Sequence, residues 1–311
     1  MSRLTIGRHF AALVVPFTDS GEIDEPAFRK VCRFMLDVDG IDGLVVNANA
    51  GEVDALTDSE RMLVLKLAIE EAHPRKKTVV AGIVPVPYTN AVAARSAQQA
   101  EQAGADGILL LGSIAFGRGV DAVPEVAKQY TSDVASSIRI PVIYFMAGPL
   151  SGINYTPEVV KAICEVDNVV AIKDTMWTPQ GFENNYKSLK KLGLDTTVLS
   201  GNDNCLFQNF ATGCDGTLLV LHMVMAKKVI EMYDLIQRND LNAAREIHDS
   251  HDALVRLLFA RPMLKMVSRV KYALHQMGVM DNYLTRDPMP APTEAERKAI
   301  SAELRALGYI K

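Results

Sequence analysis

Val169-Val170-Ala171-Ile172-Lys173-Asp174-Thr175 is the stretch on which the reading of this chain turns. The four residues before the lysine are apolar and mostly β-branched, the pattern of a parallel strand buried on both faces. A lysine at the C-terminal lip of such a strand must leave its ammonium partly desolvated or pair it. Desolvation favours the neutral amine and carries a buried lysine well below its ordinary pKa. A neutral amine attacks carbonyl carbons, so the position suits imine (Schiff-base) chemistry. The plainer reading is a strand-end lysine that snorkels to water or pairs with Asp174. The other strand ends decide between them.

Outward from that strand, apolar runs alternate with helical ones. Strands are expected at 10–17, 43–47, 78–83, 107–111, 141–145, 169–173, 197–200 and 216–221. Helical periodicity marks 26–37, 58–72 (after the possible cap Thr57), 90–103 and 123–136. Thr156-Pro157-Glu158 is a helix start, with a capping threonine, a proline in the first turn and an acid at the positive dipole end. Gly104-Ala105-Asp106-Gly107 is a tight return from helix to strand. Eight units of this spacing predict an α/β fold, a closed (β/α)8 TIM barrel. No GxGxxG or GxxxxGK[ST] run occurs, which argues against nucleotide binding. Beyond Met225 only helical patterns remain, at 225–237, 241–259, 263–277 and 293–307. The expected organisation is a barrel over 1–225 and a C-terminal helical segment over 226–311 packed on it.

The bulk properties narrow the function classes. The 311 residues are 49% hydrophobic and 23% charged, with a net charge of −4. No long basic run offers a nucleic-acid footprint, and Arg75-Lys76-Lys77 reads as a solvated approach to a strand. Cys32, Cys164, Cys205 and Cys214 lack zinc spacing, and Cys32 and Cys164, in apolar helical patterns, read as reduced core residues. No signal-like segment or membrane-length apolar stretch is present, so the expected setting is cytoplasmic, with no membrane partner.

In a barrel of this kind the active site lies at the C-terminal strand ends. The second strand leads into Asn49-Ala50-Gly51-Glu52, whose backbone amides can hold a carboxylate as a nest does. An ordinary loop fits that fragment equally well, and Glu52 reads as a brace or a helix-start acid. If the alternating faces of the fifth and sixth strands both turn inward, Tyr144 meets Lys173 and can move protons. Otherwise Tyr144 is a core aromatic. Ser113, Arg118, Asn202 and Asp203 are candidates for reading the variable end of a substrate. His222 reads as a substrate contact at the mouth or, more plainly, a loop histidine, His248 and His251 as surface residues without a third metal ligand, and Trp177 as pocket lining or core.

With these motifs in order, the chain resembles the class I aldolase family that contains dihydrodipicolinate synthase and N-acetylneuraminate lyase. The carriers are Ala12-Leu13-Val14-Val15-Pro16-Phe17, Ala50-Gly51-Glu52, Gly104-Ala105-Asp106-Gly107, Tyr144, Ala171-Ile172-Lys173-Asp174, Leu199-Ser200-Gly201-Asn202-Asp203 and Val270-Lys271-Tyr272-Ala273-Leu274. The resemblance implies a barrel with C-terminal helices, assembled as a homotetramer or homodimer. It implies that Lys173 forms an imine with a 2-oxo acid, usually pyruvate, that Tyr144 shuttles protons, and that the Asn49-Ala50 turn holds the substrate carboxylate. It implies no metal and no organic cofactor. The family usually carries a Thr/Ser pair where this chain has Asn49-Ala50. The synthase branch carries a tyrosine pair where Gly112-Ser113-Ile114 stands, and an arginine shortly after the strand-five tyrosine, where none stands here.

The leading expectation is therefore a lyase acting on pyruvate or a 2-keto-3-deoxy acid, by aldol cleavage, condensation or dehydration. The competing ones are dihydrodipicolinate synthase itself and a barrel that binds a 2-oxo acid without turnover.

Overall fold

Eight parallel strands close on themselves in chain order. The structure, a computed structural model, describes residues 7–194 and 196–311 and, for Pro149 and Leu150, the backbone alone. The strands are β1 (His9–Ala12), β2 (Gly43–Val46), β3 (Thr78–Ile83), β4 (Gly107–Leu111), β5 (Val142–Met146), β6 (Val169–Asp174), β7 (Thr197–Ser200) and β8 (Gly216–Leu219). Helices α1 (Glu25–Leu36), α2 (Asp58–Ala72), α3 (Asn90–Gln102), α4 (Pro124–Ala135), α5 (Pro157–Cys164), α6 (Pro179–Lys191), α7 (Leu206–Thr212) and α8 (His222–Gln237) follow them in turn. The expected TIM barrel is the fold.

Local sequence explains these elements. Thr57 caps α2 in a full capping box with Glu60. Thr156 caps α5, with Pro157 in its first turn. The apolar run expected as one long first strand leaves the ladder after Ala12, yet Leu13, Val14, Val15 and Phe17 stay buried. Phe17 lies under the C-terminal segment, where Lys271 and Arg286 sit on its ring.

Which face each residue takes follows from register. His9 points to the helices: its Nδ1 meets Thr217 Oγ1 at 2.8 Å, and its ring packs edge-on against Tyr233 of α8. Asp174 and Ser200, register partners on β6 and β7, also point outward, bonded by Asn185 of α6 and Asn209 of α7. Alternation then turns Ala12, Lys173 and Leu199 into the barrel.

Tyr233 makes α8 the eighth barrel helix through to Gln237. The expected division at residue 225 falls within α8, at the kink at Met225. The appended segment is α9 (Leu241–Leu258), α10 (Met266–Gln276) and α11 (Glu294–Ala306).

Candidate active site

Lys173 ends the inward face of β6, 9% exposed, in a cavity at the C-terminal mouth of the barrel. Ala12, Ala48, Asn49, Ala50, Phe145, Thr175, Trp177, Gly201, Asp203, Val220 and Met266 line the cavity with it. The strand-end alternative, pairing with Asp174, does not occur. Asp174 points the other way, accepting from Asn185 Nδ2 at 2.8 Å and from the Met176 amide at 3.1 Å.

Burial pushes the Lys173 amine below the ordinary lysine range, and the charge of Asp203 partly opposes this. Asp203 is pushed up by its own burial, against the Leu221 amide and the charge of Lys173. The Phe145 ring, its centroid 4.0 Å from Nζ, offers an ammonium some compensation. A cation–π contact is worth about 0.5–2 kcal/mol, less than the several kcal/mol that desolvating an ion costs. Burial outweighs the Asp203 charge, so the amine's pKa falls to about 8 and its neutral fraction near neutral pH exceeds that of a free lysine.

The Phe145 contact also corrects the expected proton shuttle. Phe145, not Tyr144, is the register partner of Lys173, and Tyr144 pairs with Ile172. Tyr144 therefore lies on the helix side of β5, edge-on to Tyr155 with ring centroids 6.2 Å apart. Gly112 makes room there: a Cβ on it would meet the Tyr144 hydroxyl at 2.8 Å. Burial pushes that hydroxyl well above its usual range. The geometry does not bring Tyr144 to the amine. Val142–Met146 is apolar throughout and buried on both faces, so its sequence holds no signal for which residue faces in. A register shift between Val142 and Ile143 sets the phase.

The other expected site residues divide. Asn49, Ala50 and Gly51 form a one-turn helix after β2. The Gly51 amide closes that turn on Ala48 O, while the amides of Asn49 and Ala50 precede its first bond. Asn47 before it adopts φ 57°, and a Cβ on Gly82 of β3 would meet Asn47 O at 2.0 Å, so the approach requires glycine.

Asp203 lines the cavity. Asn202 does not: its Oδ1 accepts the Trp177 amide at 2.7 Å, holding that residue at φ 60° beside the mouth. Ser113 is a buried cap on the turn Ile114–Arg118, and Arg118 is exposed; neither reaches the cavity. His222 is buried behind β8, bonded to Thr217, rather than in an open loop. His251 is also buried, 3.1 Å from the Tyr309 hydroxyl, rather than on the surface.

Phe145, Thr175, Val220 and Met266 went unrecognised in the sequence. Met266 carries no local signal, since α10 folds back over the barrel mouth from outside it.

Two motifs far apart in the chain meet behind the turn. Glu52, at φ 52°, forms a buried ion pair with Lys271 of α10 and accepts the Arg286 amide at 2.9 Å. Lys271 Nζ also donates to Leu284 O at 2.8 Å. Glu52 is thus a brace.

Comparison with known proteins agrees with this architecture. A sequence model of the dihydrodipicolinate synthetase family matches residues 5–307. The 4-hydroxy-tetrahydrodipicolinate synthase of Bartonella quintana is 31% identical over 304 residues, covering 96% of this chain and 97% of its own. That of Kosmotoga olearia is 27% identical over 308 residues, covering 97% and 98%. Among solved structures, a protein described as the first monomeric dihydrodipicolinate synthase variant superposes with a TM-score of 0.86 at 24% identity, covering 98% of each chain. The dihydrodipicolinate synthase of Thermotoga maritima gives 0.86 at 23% identity, covering 98% of this chain and 100% of its own.

Proposed function

This chain belongs to the dihydrodipicolinate synthetase family of lysine-imine class I lyases, and from that premise we propose that it acts on pyruvate or a 2-keto-3-deoxy acid through Lys173. The observation that carries the reading is a buried, inward-facing amine beside a turn with uncommitted amides. Lys173 Nζ attacks the C2 carbonyl, and the carbinolamine loses water. The resulting iminium draws electrons from the neighbouring bond, so that C3 can lose a proton or a carbon fragment and become an enamine. The Asn49–Ala50 amides hold the substrate carboxylate. The chemistry belongs to the amine, and the reading includes no metal or organic cofactor; activity indifferent to EDTA is expected.

Borohydride reduction in the presence of pyruvate tests this directly. A peptide containing Lys173 should gain the mass of reduced pyruvate. An active enzyme whose Lys173 peptide stays unmodified would overturn the assignment. A panel of 2-keto-3-deoxy acids, scored for pyruvate release or loss of water, then separates cleavage from dehydration.

The names of the relatives favour a second reading, 4-hydroxy-tetrahydrodipicolinate synthase. Against it, Lys173 is the sole cation lining the cavity among the described residues. A second substrate carboxylate then forgoes a charge-assisted contact worth about 1.5–3 kcal/mol. Turnover near a typical rate, about 10 per second, with pyruvate and aspartate semialdehyde would favour the synthase.

A homo-oligomer, dimer or tetramer, completes the proposal. Exposed Ile114, Val123 and Val126, close in sequence around the start of α4, support it. Sedimentation at micromolar concentration tests it. Among the described residues no helix is long and apolar enough to cross a membrane. The buried thiols Cys32, Cys205 and Cys214, in no disulfide, support a reducing, cytoplasmic setting.

A further inference from the structure

Phe145 leaves Lys173 facing a ring with no exchangeable proton, yet imine chemistry must move protons at carbon and oxygen. The polar side chains around the cavity are Asn49, Lys173, Thr175, Trp177 and Asp203. An amide, an indole and a hydroxyl do not accept protons from carbon near neutral pH. Lys173 is consumed in the imine. One proton acceptor remains.

We propose that Asp203 is the catalytic acid–base of this site, taking the C3 proton of the Lys173 imine and returning it. The proposal rests on the imine reading and names the group that completes it. Asp203 follows β7, next to the strand that carries Lys173, and is 7% exposed. Its Oδ1 accepts the Leu221 amide at 2.8 Å, which pins the carboxyl between the ends of β7 and β8. Asn202 beside it is committed to Trp177, so the two acceptors of this loop have separate tasks.

The steps balance. The Asp203 carboxylate removes a proton from C3. The C–H pair becomes the C2=C3 bond of the enamine, and the iminium π pair returns to Nζ. In aldol cleavage the same carboxylate takes the proton of the C4 hydroxyl. The O–H pair forms the aldehyde C=O, and the C3–C4 pair forms the enamine. The carboxylic acid then protonates C3, and water hydrolyses the iminium to release pyruvate and the free amine.

The test uses pyruvate in D2O. Proton NMR follows exchange of its methyl hydrogens, and borohydride trapping after long incubation counts the imine. Asp203→Asn is isosteric and keeps an oxygen for the Leu221 amide. It should still trap pyruvate while exchange per trapped site falls at least a hundredfold. Adding Phe145→Tyr puts a phenol in register with Lys173 and should restore exchange at least tenfold. Asp203→Asn exchanging within threefold of the unaltered protein overturns the proposal. So does a loss of exchange matched by an equal loss of imine, which would assign Asp203 to Lys173 alone. Unaltered protein that traps no pyruvate counts instead against the imine reading.

Discussion

Glu52 and Lys271 stand 219 positions apart and form an ion pair with both side chains fully buried. The pair ties α10 to the turn that supplies the Asn49 and Ala50 amides, so the appended helices hold part of the active site. Removing one partner of a buried pair leaves an uncompensated charge and costs about 3–5 kcal/mol. Lys271→Met should therefore lower the unfolding free energy by about 3–5 kcal/mol, read as a lower urea midpoint, and raise the KM for pyruvate. The double variant Glu52→Gln, Lys271→Met should lose less than the two single losses added together. Additive losses would show that the two residues act independently.

The pH dependence of imine formation follows from the Lys173 environment. The nucleophile is the neutral amine, whose fraction grows as pH rises through its pKa. Burial sets that pKa below the ordinary lysine value. The rate of pyruvate trapping, followed between neutral pH and about pH 10, should level off earlier than for a free lysine. Asp203 raises the amine's pKa by its charge, so Asp203→Asn should move the half-rise to lower pH. A half-rise at the ordinary lysine value would show a solvated amine.

Repeating elements were readable in the sequence because one rule, apolar strand then amphipathic helix, applies to each unit. Lys173 was readable because a charge ends an apolar run. Arrangement across strands was not. Tyr144 and Phe145 have equal claims on the inner face until β5 meets β6, and one register shift decides between them. Glu52 and Lys271 each stood out, but only folding makes one the partner of the other. Thr175 and Met266 enter the site through loop and helix return paths, which local periodicity does not encode.

Asp174 makes stability depend on pH. Its carboxyl is buried behind β6 and pushed up to about 7, with one oxygen bonded by Asn185 and the other by the Met176 amide. The folded pKa thus exceeds the unfolded one, so its contribution is fully present below the unfolded aspartate value and is lost as pH rises through about 7. That span of pH corresponds to on the order of 4 kcal/mol. Asp174→Asn removes the ionisation. Urea titrations across this window should show a flatter profile for the variant. Parallel profiles would mean that Asp174 titrates alike in both states.

Gly201 bears on the amine by what it lacks. A Cβ there would sit 2.2 Å from Thr175 Oγ1 and 2.7 Å from Lys173 Cε. Gly201→Ala must displace both, and overpacking of this kind costs about 1–3 kcal/mol. The lysine stem is the flexible neighbour, so it should yield first, and imine formation should fall at least tenfold. Combining it with Thr175→Ala removes the hydroxyl contact but leaves the one to Lys173. The pair should recover stability while pyruvate trapping stays slow. Trapping that recovers along with stability would mean the hydroxyl, rather than the path of the lysine stem, sets the fit.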